Sequence, residues 1–223
     1  QDVLPNYGEF YEMRQFREGP EEVRCICFEG EKVLFGPRIL FEADVMPDLI
    51  VSAEICEDVW SPVPPSIQAA REGATVIVNC SASDETIGKA AYRKSLIEGQ
   101  SARLMAAYIY ANAGEGESTT DLVFGGHNII SENGTTLAEG ERFKNGVAYA
   151  QIDVKRLISE RRKNTTFKAA RERHLARVPF RLELTETKLT RKFPSRPFVP
   201  DAKEERDRRC EEILTIQAMG LKK

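Results

Sequence analysis

The sequence predicts an α/β domain built on a mixed sheet, and three observations predict it. Short apolar runs of strand length, DLIVSAEIC (48–56), ATVIVNCSAS (74–83) and YIYANAG (108–114), alternate with stretches of helical composition. An Asn133-Gly134 pair lies between two alternating segments, the signature of a hairpin, so antiparallel pairing is expected beside the parallel kind. The chain has 223 residues, 41% hydrophobic and 30% charged, which suits one sizeable domain with or without a tail.

Taken in order, residues 23–28 read as a strand, EGEK (29–32) as a glycine-containing turn and 33–35 as a second strand. The run 48–56 reads as a buried strand because it is continuously apolar and short. Pro62, Pro64 and Pro65 then break the chain, and a helix is expected from Pro65 or Ser66 to Gly73, with proline in its first turn and glycine just past its end. The next buried strand is 74–83. Residues 88–107 carry Ala91, Leu96, Ile97, Leu104 and Met105 among good helix formers, an amphipathic helix. YIYANAG is a third strand, 122–140 a hairpin, and GVAYAQIDVKRLISERRK (146–163) a strand passing into a helix. Beyond residue 168 the period is lost: 171–200 is highly charged, contains four prolines and reads as an extended arm. Helical spacing returns in 201–223, with Cys210, Ile213, Leu214 and Gln217 near one face.

The charge balance is 32 basic against 35 acidic residues, net -3, so no basic surplus argues for nucleic acid. No apolar run approaches the roughly 18–20 residues of a membrane span, and the N-terminus lacks the basic start and apolar segment of a signal peptide. It also lacks a starting methionine, and the expectation is a fragment of a longer chain. The five cysteines (Cys25, Cys27, Cys56, Cys80 and Cys210) include no CxxC pair and no Cys/His metal spacing, which fits free thiols in a reducing cytoplasm. A papain-like pairing with His127 or His174 stays open, since such partners meet in space and not in sequence.

Cys56, in AEICEDVW, is the cysteine with two readings. Glu54, Glu57 and Asp58 flank it, and carboxylates raise a thiol's pKa and weaken it as a nucleophile. It nevertheless ends a buried strand before a broken loop, where active-site groups of α/β sheets collect, and a short helix there would favour a thiolate. Buried packing is the alternative. Cys80 carries the same two readings, followed by SAS with its potential donors. Cys25 and Cys27 share one face of their strand by period two, and a common core face is expected; Cys210 is expected to pack on its helix. The acidic loop ANAGEGESTTDLVFGG (111–126) reads either as a solvated turn or as a segment that orders near a site or a partner.

Together, LPNYGEFYEMRQF, ICEDVWSP, NCSASDETIGK, YANAGEGESTTDLVFGGHNIISENG and the tail RPFVPDAKEERDRRCEEILTIQAMGLKK resemble the N-terminal glutaminase domain of glutamine-dependent NAD synthetases, a nitrilase-superfamily module, over nearly the whole chain and in order. The resemblance implies an α-β-β-α sandwich, incomplete at the N-terminus, and a Glu-Lys-Cys set in which the cysteine attacks the side-chain amide of glutamine, releases ammonia and leaves a thioester to be hydrolysed. On it, Cys56 is the nucleophile and the backbone N–H of Glu57 faces the oxyanion. Tyr7, Glu57 and Ser83 match glutamine contacts, and Lys89 stands where some members have arginine, without its bidentate fork. Glu9 and Glu12 are candidates for an auxiliary carboxylate, with an exposed helix start as the alternative. Two departures follow. The family's catalytic glutamate lies upstream of Gln1, and Gln1 occupies the catalytic lysine's position, so inactivity of these residues alone is expected.

The same resemblance gives the organisation: 1-167 the glutaminase domain, 168-200 a linker or arm, 201-223 the start of a helix leading into an ATP-binding synthetase domain. It implies no cofactor in this domain, ATP and Mg in the other, glutamine and that domain as partners, a homo-oligomer, a cytoplasmic location, and neither nucleic acid nor membrane. No SGGxDS pyrophosphate loop occurs in the 223 residues. The acidic loop and the arm are candidates for contact between domains or subunits. Two alternatives are a stand-alone nitrilase-type amidase, against which the tail argues, and a non-catalytic scaffold of the same fold, which Gln1 favours.

Overall fold

A computed structural model describes residues 1–117, 121–172, 174–193 and 195–222. Two compact units are present, Gln1–Thr187 and Lys188–Lys223. The second contains α5 (Lys203–Leu221), none of whose residues is buried, so the expected packing of Cys210 is not seen: this thiol is exposed.

In the first unit, β1 (Arg24–Phe28) and β2 (Glu31–Phe35) form an antiparallel ribbon that follows the short helix α1 (Glu12–Gln15). Glu29 and Gly30, both at positive φ, make the turn. Cys25 and Cys27 are exposed on this ribbon and Ile26 is its half-buried residue, so the core face expected for the two cysteines belongs to Ile26 instead.

The main sheet has seven strands in the order β8-β7-β6-β5-β4-β3-β9. These are β3 (Ile39–Ala43), β4 (Ile50–Ile55), β5 (Val76–Ser81), β6 (Ala107–Asn112), β7 (Ile129–Glu132), β8 (Thr135–Glu139) and β9 (Ala176–Phe180). The centre, β4-β5-β6, is parallel, joined by crossovers through α2 (Pro65–Arg71) and α3 (Lys89–Leu104). The flanks are antiparallel, apart from β9, which lies parallel to β3. Asn133 and Gly134 take positive φ between β7 and β8, as the hairpin requires.

Two elements differ from the sequence reading. β3 is an additional strand. β9 falls inside the stretch read as an extended arm, and its register from Ile39↔Ala176 to Ala43↔Phe180 makes it an edge strand of the sheet. Pro179 is tolerated there because an edge strand needs no ladder bond on its outer side. The segment is pinned by Glu72, whose carboxylate accepts the N–H groups of His174 and Leu175 at 3.0–3.1 Å. Residues 146–153 form no strand; α4 (Val154–Lys163) begins at Asp153, which caps it by accepting from Arg156 N–H at 2.9 Å.

Period-two alternation divides the sheet's faces. Leu40, Ile77, Tyr108, Tyr110 and Ile129 pack with Ala69 and Ala70 of α2 and Ile97 and Leu104 of α3. Val76 and Ala107 point the other way and pack with Leu157 of α4, while Phe41 and Ile55 remain largely exposed on the described residues. One β layer of the expected sandwich is therefore complete, with two helices on one face.

Candidate active site

The three parallel strands end together, and their carboxyl ends form the cleft. Cys56 directly follows β4, Ser81 closes β5 and Asn112 closes β6; all three line a cavity of about 440 Å³ with Gln1, Glu12 and Cys80. This is the edge at which ligands gather in parallel sheets. A larger cleft, about 630 Å³, is bordered by Arg38, Arg71, Lys168 and His174 and contains none of the site residues expected from sequence.

Cys56 sits at φ +48°, in the left-handed region where a residue with a Cβ costs about 1–2 kcal/mol. Two buried side chains hold it there. Asp58, 1% exposed, accepts the N–H of Ile55 at 2.8 Å through Oδ2. Asn79, also 1% exposed, accepts the N–H of Cys56 at 3.0 Å through Oδ1. The chain therefore leaves β4 in a tight elbow and continues as the 3₁₀ turn Cys56–Trp60, which presents the thiol to the cleft. The other oxygen of Asp58 accepts the N–H groups of Asp2 and Val3 at 2.8 and 2.9 Å, which ties the N-terminal segment to the elbow and brings Gln1 beside Cys56.

Burial pushes the Cys56 thiol above its ordinary range; Glu57's charge adds to this, and donation from the Ala82 and Glu57 N–H groups, with the Ser81 hydroxyl close by, works against it; the Ser81 hydrogen itself goes to Asn79 Oδ1 at 2.7 Å. The thiol is thus held in its neutral form, and attack on a carbonyl requires a base to take its proton. Gln1 brings a neutral amide where a cation would favour the thiolate. Its side-chain nitrogen is buried and has no hydrogen-bond partner among the described residues, which costs about 1–3 kcal/mol.

Of the remaining residues singled out from sequence, Tyr7 and Glu57 meet, with Tyr7 Oη donating to Glu57 Oε1 at 2.9 Å. The Glu57 carboxyl is raised first by desolvation, against the pull of the Tyr7 hydroxyl and of the Lys89 charge. The Lys89 ammonium ion-pairs with Asp84 and stands 5.7 Å from the Trp60 ring centre, so the group expected to favour a carboxylate already has one. Ser83 is buried, and its hydroxyl accepts from Arg93 at 3.3 Å; it does not line the cleft, but its backbone exchanges two hydrogen bonds with Asn112, which does. Glu12 lines the cleft, whereas Glu9 is exposed. His127 is held between Arg93 and Glu139 and His174 is near Glu172, so neither histidine borders Cys56. Residues 118–120 of the acidic loop lie outside the described residues.

Asn79 and Asn112 were not singled out from sequence, Asp58 was read only as a carboxylate flanking the thiol, and Ser81 only as one of the potential donors of SAS. The signal existed for Asn79: an amide within the apolar strand VIVNCS falls by alternation on the packed face, where an unpartnered polar side chain is costly.

A left-handed cysteine over a cleft at the carboxyl ends of parallel strands marks the candidate site. The chain belongs to the carbon-nitrogen hydrolase family, which it matches over residues 12–162. It is 45% identical over 228 aligned residues to the glutamine-dependent NAD(+) synthetase of Mycobacterium leprae, an alignment that covers 98% of this chain and 34% of that protein. The corresponding protein of Aquifex aeolicus is 29% identical over 220 residues, with the same coverage. The chain spans about a third of the length of these relatives. Among solved structures, the glutamine-dependent NAD(+) synthetase of Cytophaga hutchinsonii superposes with a TM-score of 0.57 at 28% identity, over 67% of this chain and 24% of that one. A carbon-nitrogen hydrolase of Helicobacter pylori superposes at 0.53 and 19% identity, over 72% and 53%, a likeness of fold.

Proposed function

We propose that this chain is the glutamine-hydrolysing part of a glutamine-dependent NAD synthetase and that Cys56 is its nucleophile. The observation that carries the reading is Cys56 at φ +48° beside a cavity, with buried groups fixing its backbone. The sulfur attacks the side-chain amide carbon of glutamine as its proton passes to a carboxylate. The N–H of Glu57 faces the developing oxyanion. Ammonia leaves with a proton returned by the same acid, and water then cleaves the thioester to glutamate, restoring the thiol. Tyr7 and Glu57, linked to each other, would meet the α-amino end of the substrate.

The resemblance assigns the proton-accepting carboxylate to a glutamate that these residues do not contain. Glu12 is the auxiliary carboxylate, and glutamine stands at the lysine's position, so the chain alone binds glutamine without turning it over. ATP and Mg²⁺ chemistry, which makes NAD from its deamido form with the released ammonia, belongs to the remaining two-thirds of a full-length protein. On this reading the acidic loop and the part of the arm beyond β9, 181–200, serve contact with that domain or with further copies of a cytoplasmic homo-oligomer. No helix of the described residues is long and apolar enough to cross a membrane.

The test is ligand protection. The rate at which a haloacetamide modifies Cys56 is measured with L-glutamine, D-glutamine and small aliphatic amides present. Protection by L-glutamine alone is expected. Equal protection by simple amides would favour a general amidase, and no protection by any would contradict a glutamine site.

A further inference from the structure

Behind the elbow lies a polar chain that the reaction scheme does not use. Glu54, Asn79 and Tyr108 are 4%, 1% and 0% exposed, on three adjacent parallel strands. Tyr108 Oη donates to Glu54 Oε1. Asn79 Nδ2 donates to Tyr108 Oη at 3.1 Å, and Asn79 Oδ1 accepts both Cys56 N–H at 3.0 Å and the Ser81 hydroxyl at 2.7 Å. Glu54 Oε2 is held by the N–H of Ser66 at 2.9 Å.

The directions of these bonds matter more than their number. A tyrosine hydroxyl has one hydrogen, and a carboxylate can only accept. With that hydrogen committed to Glu54, Tyr108 presents a lone pair to Asn79. The amide must therefore turn its NH₂ toward Tyr108 and its oxygen toward Cys56, the end that the Cys56 N–H requires. Without the carboxylate, Tyr108 could donate to Asn79 instead, the amide could reverse, and two N–H groups would then face each other at the elbow.

We propose that Glu54, Tyr108 and Asn79 are a positioning relay that fixes the Asn79 amide and so holds the nucleophile's backbone in its left-handed turn. The inference rests on Cys56 being the nucleophile and adds three residues that act through it without touching substrate. Glu54→Gln is its sharpest probe, because it preserves shape while ending the carboxylate's hold on Tyr108. Asn79→Asp removes the dependence at the elbow, since either oxygen of an aspartate accepts the Cys56 N–H and the other takes the Tyr108 hydrogen that Glu54→Gln releases.

The experiment measures, on this chain, alkylation of Cys56 by iodoacetamide and by a glutamine-shaped chloroketone, read by peptide mass spectrometry with Cys25 and Cys27 as internal references. Glu54→Gln is expected to slow the chloroketone at Cys56 about tenfold, the factor one hydrogen bond supplies, with the reference thiols unchanged. In the Asn79→Asp background the same substitution is expected to have no effect, a non-additivity that simple loss of stability does not produce. An unchanged rate in Glu54→Gln, or an equal loss in both backgrounds, overturns the relay. If Glu54→Gln does not fold, Tyr108→Phe must slow Cys56 by a similar factor or the proposal fails. No chloroketone labelling of Cys56 in the unaltered chain overturns the nucleophile assignment instead, while the iodoacetamide rates still decide the relay.

Discussion

The left-handed conformation of Cys56 has a consequence for stability that inverts a common rule. In ordinary backbone, glycine is less stable than alanine by about 0.5–1 kcal/mol, because the unfolded chain is freer. At φ +48° the alanine Cβ costs about 1–2 kcal/mol in the folded state, and glycine is spared it. The difference leaves Cys56→Gly more stable than Cys56→Ala by about 0–1.5 kcal/mol, centred near 0.75 kcal/mol. A chain of this size shifts its midpoint by about 2–4 °C per kcal/mol, so the central gap is about 1.5–3 °C. Urea unfolding of both variants measures it, with Ala102→Gly in the exposed part of α3 as the control that loses about 1 kcal/mol. Alanine proving the more stable residue at position 56 would mean that the elbow is not left-handed, and the argument for a presented thiol would lose its geometric basis.

Three other outcomes follow from the same contacts. Burial, the Glu57 carboxylate and its hydrogen bond push the Tyr7 phenol up to about 12, so the ultraviolet titration difference between the parent and Tyr7→Phe should be centred near pH 12; a step near pH 10 would mean that the Tyr7–Glu57 contact does not form. Burial alone would raise Glu72, but the N–H groups of Leu175 and His174 bring it below its usual value; its contribution is therefore present above the unfolded value of 4.5 and lost as pH falls through the lower folded one. Glu72→Gln should cost about 1.5–3 kcal/mol at pH 7 and progressively less as the pH falls below 4.5, and a loss that does not diminish on acidification, by urea unfolding, would refute the assignment. Burial lowers Arg161 to about 10, yet its guanidinium donates to the carbonyls of Ala74, Leu104 and Met105, joining α4 to the ends of α3 and of the α2–β5 loop. Arg161→Met should destabilise by about 3–5 kcal/mol, the cost of several buried carbonyls left unpaired, and a loss under 1 kcal/mol would show those carbonyls rehydrated.

Local chemistry explains which parts of this molecule were legible in its sequence. The central strands announced themselves as short apolar runs, α2 by its proline and glycine, and the β7–β8 turn by Asn133-Gly134. What escaped was non-local. β9 reads as an arm because its burial comes from β3, about 135 residues earlier, and from Glu72, not from any period of its own. Cys25 and Cys27 alternate correctly, but alternation does not tell which face is covered. At the cleft, Cys56 was singled out from sequence, whereas the roles of Asp58 and Asn79 were not legible, since their work is to accept backbone N–H groups whose positions only the folded elbow defines. Lys89 was read for its charge alone; that Asp84 already engages this charge is a matter of space, not spacing.

The central claim, that this thiol and no other meets the substrate's amide, is tested most directly by site mapping. A glutamine-shaped chloroketone at limiting concentration is reacted with the chain, and the modified fraction of all five cysteines is read from peptide masses, with and without excess L-glutamine. The account predicts modification concentrated on Cys56 and suppressed by glutamine. Modification of Cys80 with Cys56 spared, or labelling spread across the exposed cysteines and indifferent to glutamine, would contradict it.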